Sequence, residues 1–189
     1  MIKKLADNIW KITCNSNIYI VKGKEWIAID AGDRIFHGDV EKELKQVVDP
    51  EKISKLLFTH LHCDHIGNID LFPKAEFYAH EEEISSLDNN ALDTVLSESL
   101  IKASNLKLKP LPKKFGSLEV IHSPGHTRGS VCFYLRKEKI LFSGDTLFSM
   151  TSCGRTDLPT SAPEKLKETL DRLYKLDIKL LCPGHDYDL

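Results

Sequence analysis

The segment Thr59-His60-Leu61-His62-Cys63-Asp64-His65 constrains this chain more than any other. Three imidazoles and a carboxylate stand together directly after the apolar stretch Lys55-Leu56-Leu57-Phe58. Packing gives no reason for such a cluster, whereas neutral imidazole nitrogen and carboxylate oxygen are the usual ligands of zinc, iron and manganese. Leu56 to Phe58 reads as a short buried strand. A loop leaving its carboxyl end can splay adjacent side chains, so that His60 and His62 face one ion while Asp64 and His65 face another.

Three further positions complete the pattern. His126 lies in Ser123-Pro124-Gly125-His126-Thr127, Asp145 in Phe142-Ser143-Gly144-Asp145-Thr146, and His185 in Cys182-Pro183-Gly184-His185-Asp186. Each follows a glycine at the end of an apolar run (Leu118 to Ile121, Ile140 to Phe142, Leu180 to Cys182). A glycine there lets the chain turn sharply and bring the next side chain to a common sheet edge. Five of the eight histidines fall in these motifs.

This combination resembles the metallo-β-lactamase superfamily, and within it the glyoxalase II-like thioester hydrolases and the related persulfide dioxygenases. The resemblance begins near Asn17-Ile18-Tyr19-Ile20-Val21, passes through Ile29-Asp30-Ala31-Gly32 and runs to the last residues. The order His-x-His-x-Asp-His, Gly-His, Gly-Asp, Gly-His is what makes it specific. It implies an α/β (α+β) fold of the αββα four-layer sandwich type. It also implies one metal site at His60, His62 and His126, a second at Asp64, His65 and His185, and Asp145 as the bridge. Asp64 and Asp145 are then the catalytic carboxylates. Two divalent ions are implied, zinc first, with iron or manganese as alternatives; paired ions about 3.5–4 Å apart can share a hydroxide and polarise a carbonyl.

The Cys153-Gly154-Arg155-Thr156-Asp157-Leu158-Pro159 segment resembles the loop after the bridging Asp in both branches. A thiolate leaving group, with a pKa near 8.5, needs little help from a general acid, and no extra acid stands near the motifs. The expected reaction is hydrolysis of a small thioester such as S-lactoylglutathione. The alternative is a persulfide dioxygenase holding one iron on His60, His126 and Asp145. A metal-binding module without catalysis is disfavoured because all seven ligands are present.

At 189 residues the chain fits one domain, residues 1–189. A hydrophobic content of 41% and a charged content of 29% suit a globular protein. A net charge of −2 argues against nucleic acid or a membrane surface as partner and leaves a small-molecule substrate. Lys102, Lys107, Lys109, Lys113 and Lys114 read as a solvated face. No apolar run follows the lysines at the N-terminus and none is long enough to span a bilayer. Five cysteines, odd in number and without Cys-x-x-Cys spacing, fit a reducing compartment, so the expected location is cytoplasmic.

Strands are expected at Asn8–Thr13, Asn17–Val21, Trp26–Asp30, near 55–58, at Phe77–Tyr78, Leu118–His122, Ser130–Leu135, Lys139–Phe142 and Ile178–Leu181. Val40, Leu44, Val47 and Val48 recur at helical spacing. Leu92, Val95, Leu96 and Leu100 predict a helix near 91–104. Ser161 and Glu164 form a potential capping box for a helix with Leu166, Leu170 and Leu173 as its buried stripe. Cys63 should point away from the ions. Arg155 and Asp157 can pair to hold the loop of Cys153, or that loop can contact the substrate. His80 suits a helix cap or plain exposure, His37 is expected to be exposed, and His122 either orients a ligand from behind or sits at the surface. Arg128, Lys113 and Lys114 are candidates to meet an anionic substrate.

Overall fold

Alternation along the strands decides the layering. In the computed structural model, which describes residues 1–103, 106–148 and 152–186, strand β3 (Ile18–Lys22) sends Ile18 and Ile20 to one core and Tyr19 and Val21 to another. Successive side chains on a strand point to opposite faces, so a strand apolar at every position must be covered on both sides.

The first sheet runs in sequence order: β1 (Ile2–Ala6), β2 (Ile9–Ile12), β3, β4 (Trp26–Ile29), β5 (Ile53–Leu57), β6 (Glu76–Ala79) and β7 (Leu108–Pro110). It is antiparallel from β1 to β4 and parallel from β4 to β7. The second sheet contains β8 (Lys114–Phe115), β9 (Leu118–His122), β10 (Val131–Leu135), β11 (Ile140–Gly144) and β12 (Leu180–Pro183). Its strands pair antiparallel except β11 with β12.

Helices cover the outer faces. Val40 and Leu44 of α1 (His37–Val47), Ile66 of α2 (Cys63–Ile66) and Val95 of α4 (Ala91–Val95) join Ile18, Ile20, Ala28 and Leu56 in one core. Between the sheets, Tyr19, Ile27, Ile29 and Leu57 meet Val131, Phe133, Leu135, Ile140 and Phe142. The Tyr19 and Phe142 rings touch edge to face at 5.1 Å. On the far side, Cys132, Tyr134 and Leu141 pack against Leu173 of α6 (Pro163–Leu173). This is the αββα sandwich expected from the sequence.

Several local expectations need correction. Strands β1, β7 and β8 had no sequence expectation. The helix expected near 91–104 is two short ones, α4 and α5 (Glu98–Ala103), which follow α3 (Glu81–Asn89); residue 104 lies outside the described residues. Leu96 stops α4 in the left-handed conformation (φ 60°, ψ 22°), so the apolar face is not continuous. Val95 is buried, but Leu92 and Leu96 are 53% and 38% exposed. The capping box does not form either. Pro163 takes the first helical position and Ala162 becomes the cap residue, while the Ser161 hydroxyl accepts from Leu158 N and donates to His126 O. Thr169 and Leu173 are buried on α6, whereas Leu166 and Leu170 are half-buried.

Four candidate ligand segments follow the carboxyl ends of β5, β9, β11 and β12, and Asp30 follows β4. Both sheets therefore deliver chemistry to one edge of the sandwich. Phe133 is fully buried between them. We expect Phe133→Ala to lower unfolding stability by about 3–5 kcal/mol, read from urea denaturation. An unchanged midpoint would mean that this inter-sheet core does not hold the edge together.

Candidate metal centre

The seven sequence candidates converge. Ligand atoms of His60, His62 and His126 lie within 4.8 Å of one another, as do those of Asp64, His65 and His185, and those of His60, His65 and Asp145. His62 Nδ1 stands 3.0 Å from His126 Nε2, and the rings of His60, His62 and His126 meet at nearly right angles. Asp145 faces both groups. Its Oδ2 is 3.6 Å from His126 Nε2 and 3.4 Å from His185 Nε2, and its Oδ1 is 3.2 Å from His65 Nε2. Asp64 Oδ2 lies 3.2 Å from His185 Nε2.

Four of the five imidazoles are held from behind. The Nδ1–H of His65 donates to Asp30 Oδ2 (2.9 Å), that of His126 to Arg155 O (2.7 Å) and that of His185 to Asn15 O (2.7 Å). His60 Nδ1 is 3.1 Å from Thr59 Oγ1, whose hydroxyl donates to Asp30. Such partners fix the tautomer and turn the other nitrogen's lone pair toward the site. Ser16 Oγ donates to Asp64 O. Asp30 also accepts from Thr59 N at 2.8 Å and sits at φ 58°, an unusual backbone conformation for a non-glycine residue.

The donor set fits divalent cations. His60 Nε2, His65 Nε2 and Asp145 Oδ1 are buried without hydrogen bonds, an arrangement that ordinarily carries a large desolvation penalty. Burial, together with the other imidazoles, pushes His60 well below its ordinary pKa, and burial brings His62 down to about 3 and lowers His126. Those rings are neutral and offer lone pairs. Burial also disfavours charge on His65 and His185, but the Asp145 and Asp64 carboxylates overcome it, with Asp30 helping at His65. His65 rises well above its ordinary value and His185 to about 9. Desolvation is likewise overcome at Asp64, held down to about 2 by His65 and His185, and at Asp145, held well below the usual carboxylate range.

Glycines play two parts. Gly144 turns at φ 49° as expected. Gly184 instead serves close approach, since a Cβ there would run into Asp145 Oδ1 and His65. His62, Asp64, His126, Asp145 and His185 line a cleft of about 520 Å³ with Asn15, Leu96, Phe148, Cys153, Arg155 and Leu158. Arg155 pairs with Asp157 through two bonds of 2.6 Å, and Gly154 N donates to Asp145 O. The loop thus supports His126 and Asp145 and also walls the cleft.

Cys63 is half-buried against the helix-side core, away from the cleft, as expected. His80 caps α3 by accepting from Glu82 N. His122 touches no ligand; its Nε2–H donates to Arg128 O, and its ring stacks on His80 at 4.0 Å. His37 is half-buried, within 3.0 Å of Asn68 Oδ1, rather than exposed. Arg128, Lys113 and Lys114 do not line the cleft. Lys102, Lys109 and Lys114 pair with glutamates on exposed surface, which supports the solvated reading.

Two anchors escape sequence reasoning. Asp30 lies in a quoted motif, but its bonds to Thr59 and His65 are visible only in three dimensions. Glu83 is indistinguishable from Glu81 and Glu82 in sequence, yet it is 1% exposed. Its carboxylate accepts from Leu61 N (2.9 Å), Thr127 Oγ1 (2.6 Å) and Gly129 N (3.2 Å).

Two stacked sheets with candidate metal ligands at one edge define a class of metal-binding proteins. The profile of the metallo-beta-lactamase superfamily matches residues 12–185, and the chain belongs to that superfamily. A probable metallo-hydrolase of Methanocaldococcus jannaschii is 32% identical over 190 residues, covering 90% of this chain and 87% of its own. The hydroxyacylglutathione hydrolase of Aeromonas hydrophila is 31% identical over 172 residues, and the match spans 80% of this chain but 56% of that enzyme. Among solved structures, TTHA1623 in a di-iron-bound form superposes with a TM-score of 0.71 at 28% identity, covering 93% of this chain and 90% of that one. BLEG-1 B3 metallo-beta-lactamase gives a TM-score of 0.69 at 28% identity, covering 98% and 91%. No helix among the described residues is long and apolar enough to cross a membrane.

Removing the charge behind His65 tests the anchoring. Asp30→Asn should weaken metal uptake by about 10–100-fold, measured by competition with a chromophoric chelator. Affinity equal to the parent's would show that Asp30 does not set His65.

Proposed function

We propose that this chain is a dinuclear metallohydrolase that cleaves small thioesters of the hydroxyacylglutathione type. One ion is held by His60, His62 and His126, the other by Asp64, His65 and His185, with Asp145 bridging. The observation that carries this reading is Asp145, whose carboxylate faces both ligand groups at 3.2–3.6 Å. Zinc suits the imidazole and carboxylate donors best, and iron or manganese can use the same ligands. The hydroxyacylglutathione hydrolases among the relatives support the substrate class.

The chemistry that bound cations supply is polarisation of the scissile carbonyl and acidification of water to near neutral pH. The protein contributes the geometry. Asp145 spans both ligand groups, and Asp64 remains anionic to balance cationic charge. A thiolate, with a pKa of about 8.5, leaves without a protonated partner. Phe148, edge-on to His185 at 5.8 Å, and the nearby Leu96 and Leu158 line the cleft where the acyl chain would lie. On this reading the chain works as one domain over residues 1–189, in the cytoplasm, on a small molecule. Five free cysteines support a reducing compartment.

Protein purified without chelator or added metal should carry close to two ions per chain and release thiol from S-lactoylglutathione. Asp145→Ala should lower kcat/KM by more than about 100-fold, beyond the usual loss from a group behind a ligand. One iron per chain with oxygen uptake on glutathione persulfide would replace this reading with the dioxygenase.

A further inference from the structure

Resting on the ligand assignment above, we propose that Glu83 is the positioning residue of the three-histidine site alone, whereas Asp30 stands behind His65 and, through Thr59, behind His60. Glu83 stands in the first turn of α3, where the helix dipole favours an anion. One of its oxygens takes Leu61 N, the peptide between His60 and His62; the other takes Thr127 Oγ1 and Gly129 N, beyond His126. The carboxylate therefore joins the loop after β5, in the first sheet, to the β9–β10 loop of the second. Those are the two segments whose imidazoles must meet.

The fit is close on every side. A Cβ on Gly129 would collide with Glu83. Thr127 Oγ1 also lies 2.8 Å from Ser130 Oγ, and Ser130 Oγ accepts from Thr127 N, which fixes the hydroxyl that Glu83 receives. The Glu83 bonds to Leu61, Thr127 and Gly129 do not reach Asp64, His65 or His185. Those are held by Ser16, Asp30 and Asn15 respectively. Asp30 reaches the first site only through Thr59 and His60. A small error in ligand placement is enough to weaken a site, so the loss of Glu83 should be felt on one side only.

The test uses two single-site backgrounds of the full chain: His185→Ala, which leaves the three-histidine site, and His126→Ala, which leaves the other. Glu83→Gln is introduced into each, and Co²⁺ affinity is measured by chelator competition alongside the visible cobalt spectrum. The expected result is an affinity loss of about tenfold or more and an altered spectrum in the His185→Ala background, with neither change in the His126→Ala background. Equal losses in both, or no loss in the first, would overturn the proposal. If Glu83→Gln fails to fold by circular dichroism, Thr127→Val, which removes one of the three donors, carries the same selective expectation, with Thr127→Ser restoring affinity. A parent chain that takes up no metal would sink the ligand assignment itself, whereas metal uptake with unselective losses sinks only the role of Glu83.

Discussion

Seven candidate ligand side chains crowd one edge of the sandwich, and the rest of the structure answers to that crowding. His65 is fully buried, His60 is 1% exposed and Asp145 is 8% exposed. Imidazoles and carboxylates removed from water are unfavourable unless paired. Burial and the neighbouring imidazoles favour the neutral forms of His60, His62 and His126, while the Asp64 and Asp145 carboxylates favour charge on His65 and His185. The cluster holds together because polar groups one layer further out, from Asn15 to Arg155, satisfy the nitrogens that face away from the cleft.

Those outer groups explain why the ligand loops can be irregular yet well placed. The loop after β5 is held at the start of its ligand run, on either side of His60, by Asp30 at Thr59 and by Glu83 at Leu61. The segment of His126 is held by Glu83 through Thr127, by Ser161 at its own carbonyl, and by Arg155 O at its ring. Each anchor comes from a distant part of the sequence. The sandwich brings them together because strands of both sheets end at the same edge.

That distance also explains what could be read in advance. The ligands were legible because their chemistry is local: an imidazole or carboxylate after a glycine at a strand end declares itself. The layering was partly legible, since runs such as Val131 to Leu135 are apolar throughout. Glu83 was not, because nothing within the run of three glutamates says which one is buried. Leu96 misled because its spacing from Leu92 and Leu100 is helical, while its backbone is left-handed. Ser161 has the right spacing for a cap, but Pro163 moves the helix start and leaves its hydroxyl for His126. Strand β1 was hidden by Lys3 and Lys4, which face outward where periodicity expects an apolar alternation.

The same arrangement ties metal to folding. Asp64, His65 and the pair His60 and His62 follow the first sheet, whereas His126, Asp145 and His185 follow the second. An ion held by His60, His62 and His126 therefore cross-links the two sheets, and so does one held by Asp64, His65 and His185. Because the unfolded chain has no such preformed site, binding free energy becomes folding free energy. A free ion at 100 times its dissociation constant adds about 2.7 kcal/mol, comparable to truncating a large buried side chain. Cations bound at this edge would thus couple it to the stability of the sandwich, because each would join side chains from both sheets.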